Sequence, residues 1–197
     1  MTISWYGEAC FLLEAGGIRI LIEPPSKESG LIAPRLKSDI LISTRPLDNE
    51  SEAFTIDSPG EYEVKGINIL GVDDGANTIY SIEIDEIKIA HLGFLNKELG
   101  NEKLEILGES DVILVPAGGI KDGDVLDAEA AMKLINKIEP KIAIPMLYDI
   151  KGLKIKRASV ADFVKESEAK ESPISKLTIK KKDLVEGETK IVILEKT

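Results

Sequence analysis

The chain carries one histidine, one cysteine and one tryptophan in 197 residues, and aromatic residues make up 5% of it. Each scarcity excludes something. A lone cysteine, Cys10, cannot build an internal disulfide framework or a multi-cysteine zinc or iron–sulfur centre. A lone histidine, His91, cannot supply the two or three imidazoles that most hydrolytic zinc sites use. No apolar run approaches the ~18 residues of a membrane span. The start, Met1-Thr2-Ile3-Ser4-Trp5, lacks the charged and apolar regions of a signal peptide. A cytoplasmic protein with no membrane partner is therefore expected. Clustered positive charge is also missing. Lys and Arg number 25 against 35 Asp and Glu, a net charge of −10. Residues 151–197 hold 12 basic and 8 acidic side chains (+4), which leaves −14 on the first 150 residues. Such a body is poorly suited to nucleic acid, because phosphate binding needs clustered Lys and Arg. Lys180-Lys181-Lys182 lies beside Asp183 and Glu186 and reads as a solvated turn.

What is present is an ordinary globular mixture, 43% apolar and 30% charged. No linker or internal repeat divides it, so a single domain over 1–197 is expected. Short β-like runs fill the first half. Residues 10–14 and 18–22 flank Gly16-Gly17, a hairpin signal. Residues 39–43 read as a buried strand ending at Thr44-Arg45-Pro46. Further strands are expected at 53–56, 67–72, 78–84 and 87–90, several alternating apolar and polar as half-buried strands do. The second half changes rhythm. Leu99, Leu104 and Leu107 have helical spacing, 111–115 is strand-like, and Asp127 can cap a helix to Ile138. A strand at 142–146, a short helix capped by Ser159, and closing strands at 174–179 and 190–194 complete the pattern. Strands first and strand–helix–strand units later fit a β-sandwich flanked by helices.

Six segments, in order, resemble the metallo-β-lactamase superfamily, in its branch of zinc-dependent hydrolases. Residues 3–11, Ile-Ser-Trp-Tyr-Gly-Glu-Ala-Cys-Phe, are similar to W-G-H-A-C-F. Residues 20–24 are similar to I-L-I-D-P, 57–64 to P-G-E-Y-E-V, and 90–93 to A-H-L-G-D without its last residue. Residues 115–119 are similar to V-P-V-G-G, and 144–148 to I-P-M-H-Y. The resemblance implies an α/β fold, a four-layer αββα sandwich with its site at one edge between the sheets. It also implies zinc or another divalent metal, which lowers the pKa of a bound water and polarises the bond to be cut.

The metal-binding pattern itself is degenerate. Where the family has H-x-H-x-D-H, this chain has Thr44, Arg45, Pro46, Leu47, Asp48 and Asn49. Only Asp48 matches. The early histidine aligns with Glu8, the metal-bridging aspartate with Phe94, and the late histidine with Leu147. His91 precedes the ligand aspartate position by three residues and looks like a supporting residue of the family. The former metal-site positions are thus Glu8, Thr44, Pro46, Asp48, Asn49, Phe94 and Leu147. Glu8, Arg45, Asp48 and His91 remain as a residual polar site.

Each of these residues has a plain reading beside the functional one. His91 is a hydrogen-bonded structural histidine, or a ligand or base. Asp48 is a relic ligand or a cap, as Asn49 and Ser51 could be. Glu8 replaces a ligand, or pairs with Arg45 across the vacated cation site. Asp73-Asp74-Gly75 is a solvated turn or a weak site for a hard cation. Cys10, in an apolar strand, is an inert buried thiol. The expectation for function is a pseudoenzyme without a metal cofactor, holding a small anionic ligand or a protein partner, a homodimer included. The alternative is a metal-dependent hydrolase whose site is residual or relocated among Glu8, Asp48, Asp57, Glu61, Asp73 and His91.

Overall fold

Residues 1–45, 51–75, 77–120, 123–169, 172–185 and 187–197 are described by the computed structural model of the chain. Two sheets emerge. The first has six strands in the order β12-β1-β2-β3-β4-β5. Its members are β1 (Thr2–Gly7), β2 (Cys10–Ala15), β3 (Ile18–Ile22), β4 (Ile40–Ile42), β5 (Phe54–Ile56) and β12 (Leu177–Thr178). The second has seven, in the order β13-β11-β10-β9-β8-β7-β6. These are β6 (Gly60–Val64), β7 (Ile67–Asp73), β8 (Thr78–Ile84), β9 (Ile87–His91), β10 (Val112–Pro116), β11 (Ile142–Met146) and β13 (Lys190–Ile191).

Period-two alternation decides which face each strand buries. Phe11, Leu13, Ile20, Ile22, Ile40 and Ile42 point between the sheets, where they meet Tyr80, Ile82, Ile89, Val112, Leu114, Ile142 and Ile144. The neighbours Cys10, Leu12, Leu21 and Leu41 face outward under Leu36 and Ala53. On the second sheet the odd partners Ile113, Val115 and Ala143 turn out to a helical layer. That layer is α1 (Asn101–Leu107), α2 (Ala128–Ile138) and α3 (Val160–Ser167). α2 lays Ala131, Leu134, Ile135 and Ile138 on the sheet, and Phe163 of α3 joins them. Asp127 caps α2 by accepting from Ala130 N–H, and Ser159 caps α3 by accepting from Ala161 N–H, both as expected.

The two sheets pack face to face, as the expected sandwich requires. Among the described residues its α-helices all lie on the second sheet. Leu36 and Ala53, from irregular chain, pack on the outer face of the first sheet, and a 3-10 turn at Lys27–Ser29 lies earlier in the same connection as Leu36. Strands β1 and β6 were not anticipated, and the closing strands are short, with isolated bridges Ile174↔Leu194 and Trp5↔Lys196 extending them. They join different sheets, β12 to β1 and β13 to β11. Among the described residues no helix is long and apolar enough to cross a membrane.

The parallel run β9-β10-β11 sends three strands out at the same edge of the sandwich. His91, Pro116 and Met146 end them, and the segments that follow carry Phe94, Gly118 and Leu147. The end of β4 brings Thr44 and Arg45, and the β1–β2 turn brings Glu8. Open sheets place binding residues beyond such strand ends.

Candidate functional site

Glu8 sits in the β1–β2 turn with a positive φ of 50°. Its backbone is fixed from both sides. Trp5 Nε1–H donates to Glu8 O at 2.9 Å, and Leu147 N–H donates to the same oxygen at 3.3 Å. Leu147 too is left-handed, φ 61°, and fully buried. The expected Glu8–Arg45 ion pair does not form. Arg157 takes the carboxylate, with Nε 3.4 Å from Oε1 and Nη2 3.2 Å from Oε2. Its Nη1 also donates to Asp124. The Arg157 and Glu8 side chains are 2% and 5% exposed, whereas Asp124 is 68% exposed. Burial pushes the Glu8 carboxyl above its ordinary pKa, and Arg157 pulls it only partly back.

Arg157 reaches this place through its backbone. Ala158 N–H donates to Gly118 O at 2.8 Å, and Asp149 N–H donates to Ala158 O at 2.8 Å. Gly118 lets the Leu147–Tyr148 backbone pass close beside it. A Cβ there would lie 2.1 Å from Leu147 O and 2.4 Å from Tyr148 Cα.

Arg45 turns elsewhere because Glu23 and Phe94 are nearer. Its guanidinium carbon lies 3.9 Å from the Phe94 ring centre, and Nη2 is 3.9 Å from Glu23 Oε1. It acts on Glu8 only as a more distant positive charge. Glu23, itself left-handed at φ 46°, is committed to the end of β4. Its Oε2 accepts from Thr44 N–H at 2.6 Å and from Thr44 Oγ1 at 2.8 Å, while the Ser43 hydroxyl donates to Arg45 O at 2.5 Å.

His91 is fully buried and uses both ring nitrogens. Gly93 N–H donates to Nδ1 at 3.2 Å, which leaves the proton on Nε2, 2.9 Å from Ala9 O. The Phe11 ring meets it edge-on at 6.0 Å. Burial lowers the imidazole pKa to about 4, so it is neutral at pH 7. The acidic turn is not simply solvated. Asp73 caps Gly75 N–H, but Asp74 is buried and accepts from Asn77 N–H and Asn77 Nδ2. Asn77 Oδ1 in turn accepts from Phe94 N–H at 2.8 Å and fixes the turn after β9.

The arrangement thus brings together Glu8, Leu147, Thr44, Arg45, Phe94 and His91 at one sandwich edge. Pro46, Asp48 and Asn49 lie outside the described residues. Two participants were missed in the sequence, Arg157 and Glu23. Glu23 stood in plain view at the aspartate of the I-L-I-D-P resemblance. Nothing local marks Arg157.

The donor chemistry can be tested against a divalent metal. Leu147 and Phe94 have no ligand atom. Thr44 gives its hydroxyl to Glu23, Glu8 is held by a guanidinium, and the unprotonated nitrogen of His91 already accepts a hydrogen bond. Among the described residues no three His, Cys, Asp or Glu side chains form a group that could hold a metal ion. These residues do not suit a zinc ion.

The two-sheet sandwich, with its helices on the second sheet and its polar residues beyond the strand ends, matches the fold of metallo-β-lactamase superfamily structures. The family model described as the beta-lactamase superfamily domain matches residues 2–147, and the chain belongs to that superfamily. A UPF0173 protein of Pyrococcus furiosus is 30% identical over 181 residues, 75% of this chain and 83% of that protein. A UPF0173 metal-dependent hydrolase of Archaeoglobus fulgidus is 24% identical, covering 76% of this chain and 84% of that protein. Among solved structures, a candidate Zn-dependent hydrolase of the metallo-beta-lactamase superfamily from Thermotoga maritima superposes with a TM-score of 0.82. It is 30% identical, and 98% of each chain is covered.

Proposed function

We propose that this chain keeps the superfamily scaffold but has lost metal-dependent hydrolysis, and serves as a binding or assembly protein. The observation that carries the reading is the Arg157–Glu8 ion pair, at a position where the resemblance places a metal-ligating histidine. A buried guanidinium opposes a dication at the same place. The backbone supports the reading too. Glu8 and Leu147 both stand where the resemblance has histidine, and both are left-handed. Histidine is enriched in that conformation, whereas a left-handed leucine costs roughly 1 kcal/mol. A left-handed backbone at both positions supports the reading. The occupant is a small anion facing Arg45, which is 54% exposed, or a protein partner, a second copy included.

The names of the Archaeoglobus and Thermotoga relatives favour a second reading, a metal-dependent hydrolase with relocated ligands. Glu8, Asp48, Asp73, His91 or a second subunit would then have to supply them.

Elemental analysis decides between the two. Protein purified without a histidine tag is dialysed against Zn²⁺, Mn²⁺ or Fe²⁺ and then against buffer. The first reading expects below about a tenth of an equivalent of each metal. A stoichiometric metal that survives dialysis overturns it and supports the hydrolase.

A further inference from the structure

We infer that Arg157 is a built-in cation, taking over against Glu8 the charge-balancing role that a metal has in the family's site. The inference rests on the loss of metal chemistry proposed above and adds what replaced it. Three features argue for a dedicated device over a chance surface pair. The guanidinium is buried, with its side chain 2% exposed, and both Glu8 oxygens are engaged. The segment bearing it is stapled to the ends of the central strands by the bonds between Ala158 and Gly118 and between Asp149 and Ala158. Asp124 closes the outer side of the guanidinium, so one cation faces two carboxylates. That is the charge pattern of a cation held by acidic ligands, with the cation covalently attached and unable to dissociate. Burying either charge alone is costly, and removing both partners costs little.

The test is a double-mutant cycle read by urea unfolding, using the wild type, E8Q, R157M, R157K and E8Q/R157M. R157M is expected to lower the folding equilibrium constant by about 100-fold or more, and E8Q/R157M to recover to within about 10-fold of wild type. R157K, which keeps the charge but not the fork, falls between wild type and R157M. Additive losses in the cycle overturn the inference. If R157M alone fails to fold, a folded double variant supports the inference and an unfolded one overturns it.

The cycle is repeated with Mn²⁺ and with Zn²⁺. R157M should gain in urea midpoint, or become folded if it does not fold without metal, because Glu8 and Asp124 regain an external cation, and E8Q/R157M should not. The absence of that gain overturns the substitution of metal by guanidinium. Stoichiometric metal on the wild type overturns the loss of metal chemistry itself. An additive cycle on a metal-free wild type overturns the inference alone.

Discussion

Arg157 and Glu8 are 149 residues apart in the chain and meet through both carboxylate oxygens in a nearly solvent-free place. The fork geometry matters as well as the charge. The guanidinium spans Glu8 with Nε and Nη2 while Nη1 reaches Asp124. A lysine ammonium cannot hold three such directions in one plane. Arg157→Lys should therefore destabilise the protein by about 1–3 kcal/mol, as a buried hydrogen bond to a charged group is lost. Chemical denaturation at pH 7 checks this. Wild-type stability in the lysine variant would show that only charge counts.

His91 gives a pH signature. Its folded pKa of about 4 lies below the ordinary 6.5. Above pH 6.5 both folded and unfolded chains carry a neutral ring, and no dependence arises. As pH falls below 6.5 the unfolded chain takes up a proton that the folded one refuses, so stability is lost, down to about pH 4. The stability advantage of the wild type over His91→Gln should shrink by on the order of 2 kcal/mol between pH 7 and pH 4.5. Urea unfolding of both proteins at the two pH values tests it. A constant difference would mean that the ring is not held neutral by burial.

Thr44 answers Glu23 twice, through its N–H and its hydroxyl. Thr44→Val keeps the shape and the N–H but removes one donor from a buried carboxylate. A loss of about 1–3 kcal/mol is expected, and Thr44→Ser should regain most of it. Thermal or chemical unfolding of the two variants makes the comparison. An unaffected valine variant would mean that Glu23 is satisfied without the hydroxyl.

Gly118 is a steric requirement. An added Cβ would meet two backbone atoms within 2.4 Å, and backbone cannot swing away as a flexible side chain can. Gly118→Ala should cost at least about 2 kcal/mol. It should also loosen the Ala158 N–H bond to Gly118 O, seen as faster amide exchange at Ala158. Unchanged exchange would separate the glycine from the positioning of Arg157.

Most of the strands and the α2 and α3 caps were legible in the sequence because each is local, and Asp127 needs only an amide three residues on. Which face each strand buries was decided by the fold, because Cys10, Phe11, Leu12 and Leu13 are all apolar and differ by pleat alone. β6 was missed because Glu61 and Glu63 dilute its apolar content at the sheet edge, where one face stays in water. The closing strands were overread because their alternation continues past the pairing that the sheets provide.

The resemblance is a matter of residue identity, and it alone puts Thr44, Phe94 and Leu147 at the family's ligand positions. It could not determine how the remaining charges pair. The chain has 25 basic side chains, and nothing in spacing or periodicity selects one of them for Glu8. Arg45 was the natural expectation from its place beside the motif. The fold decided otherwise: the Phe94 ring and Glu23 draw Arg45 aside, and backbone bonds at Gly118 carry Arg157 in from the far end of the chain. Ion pairing depends on distance and burial in space, and tertiary structure sets both.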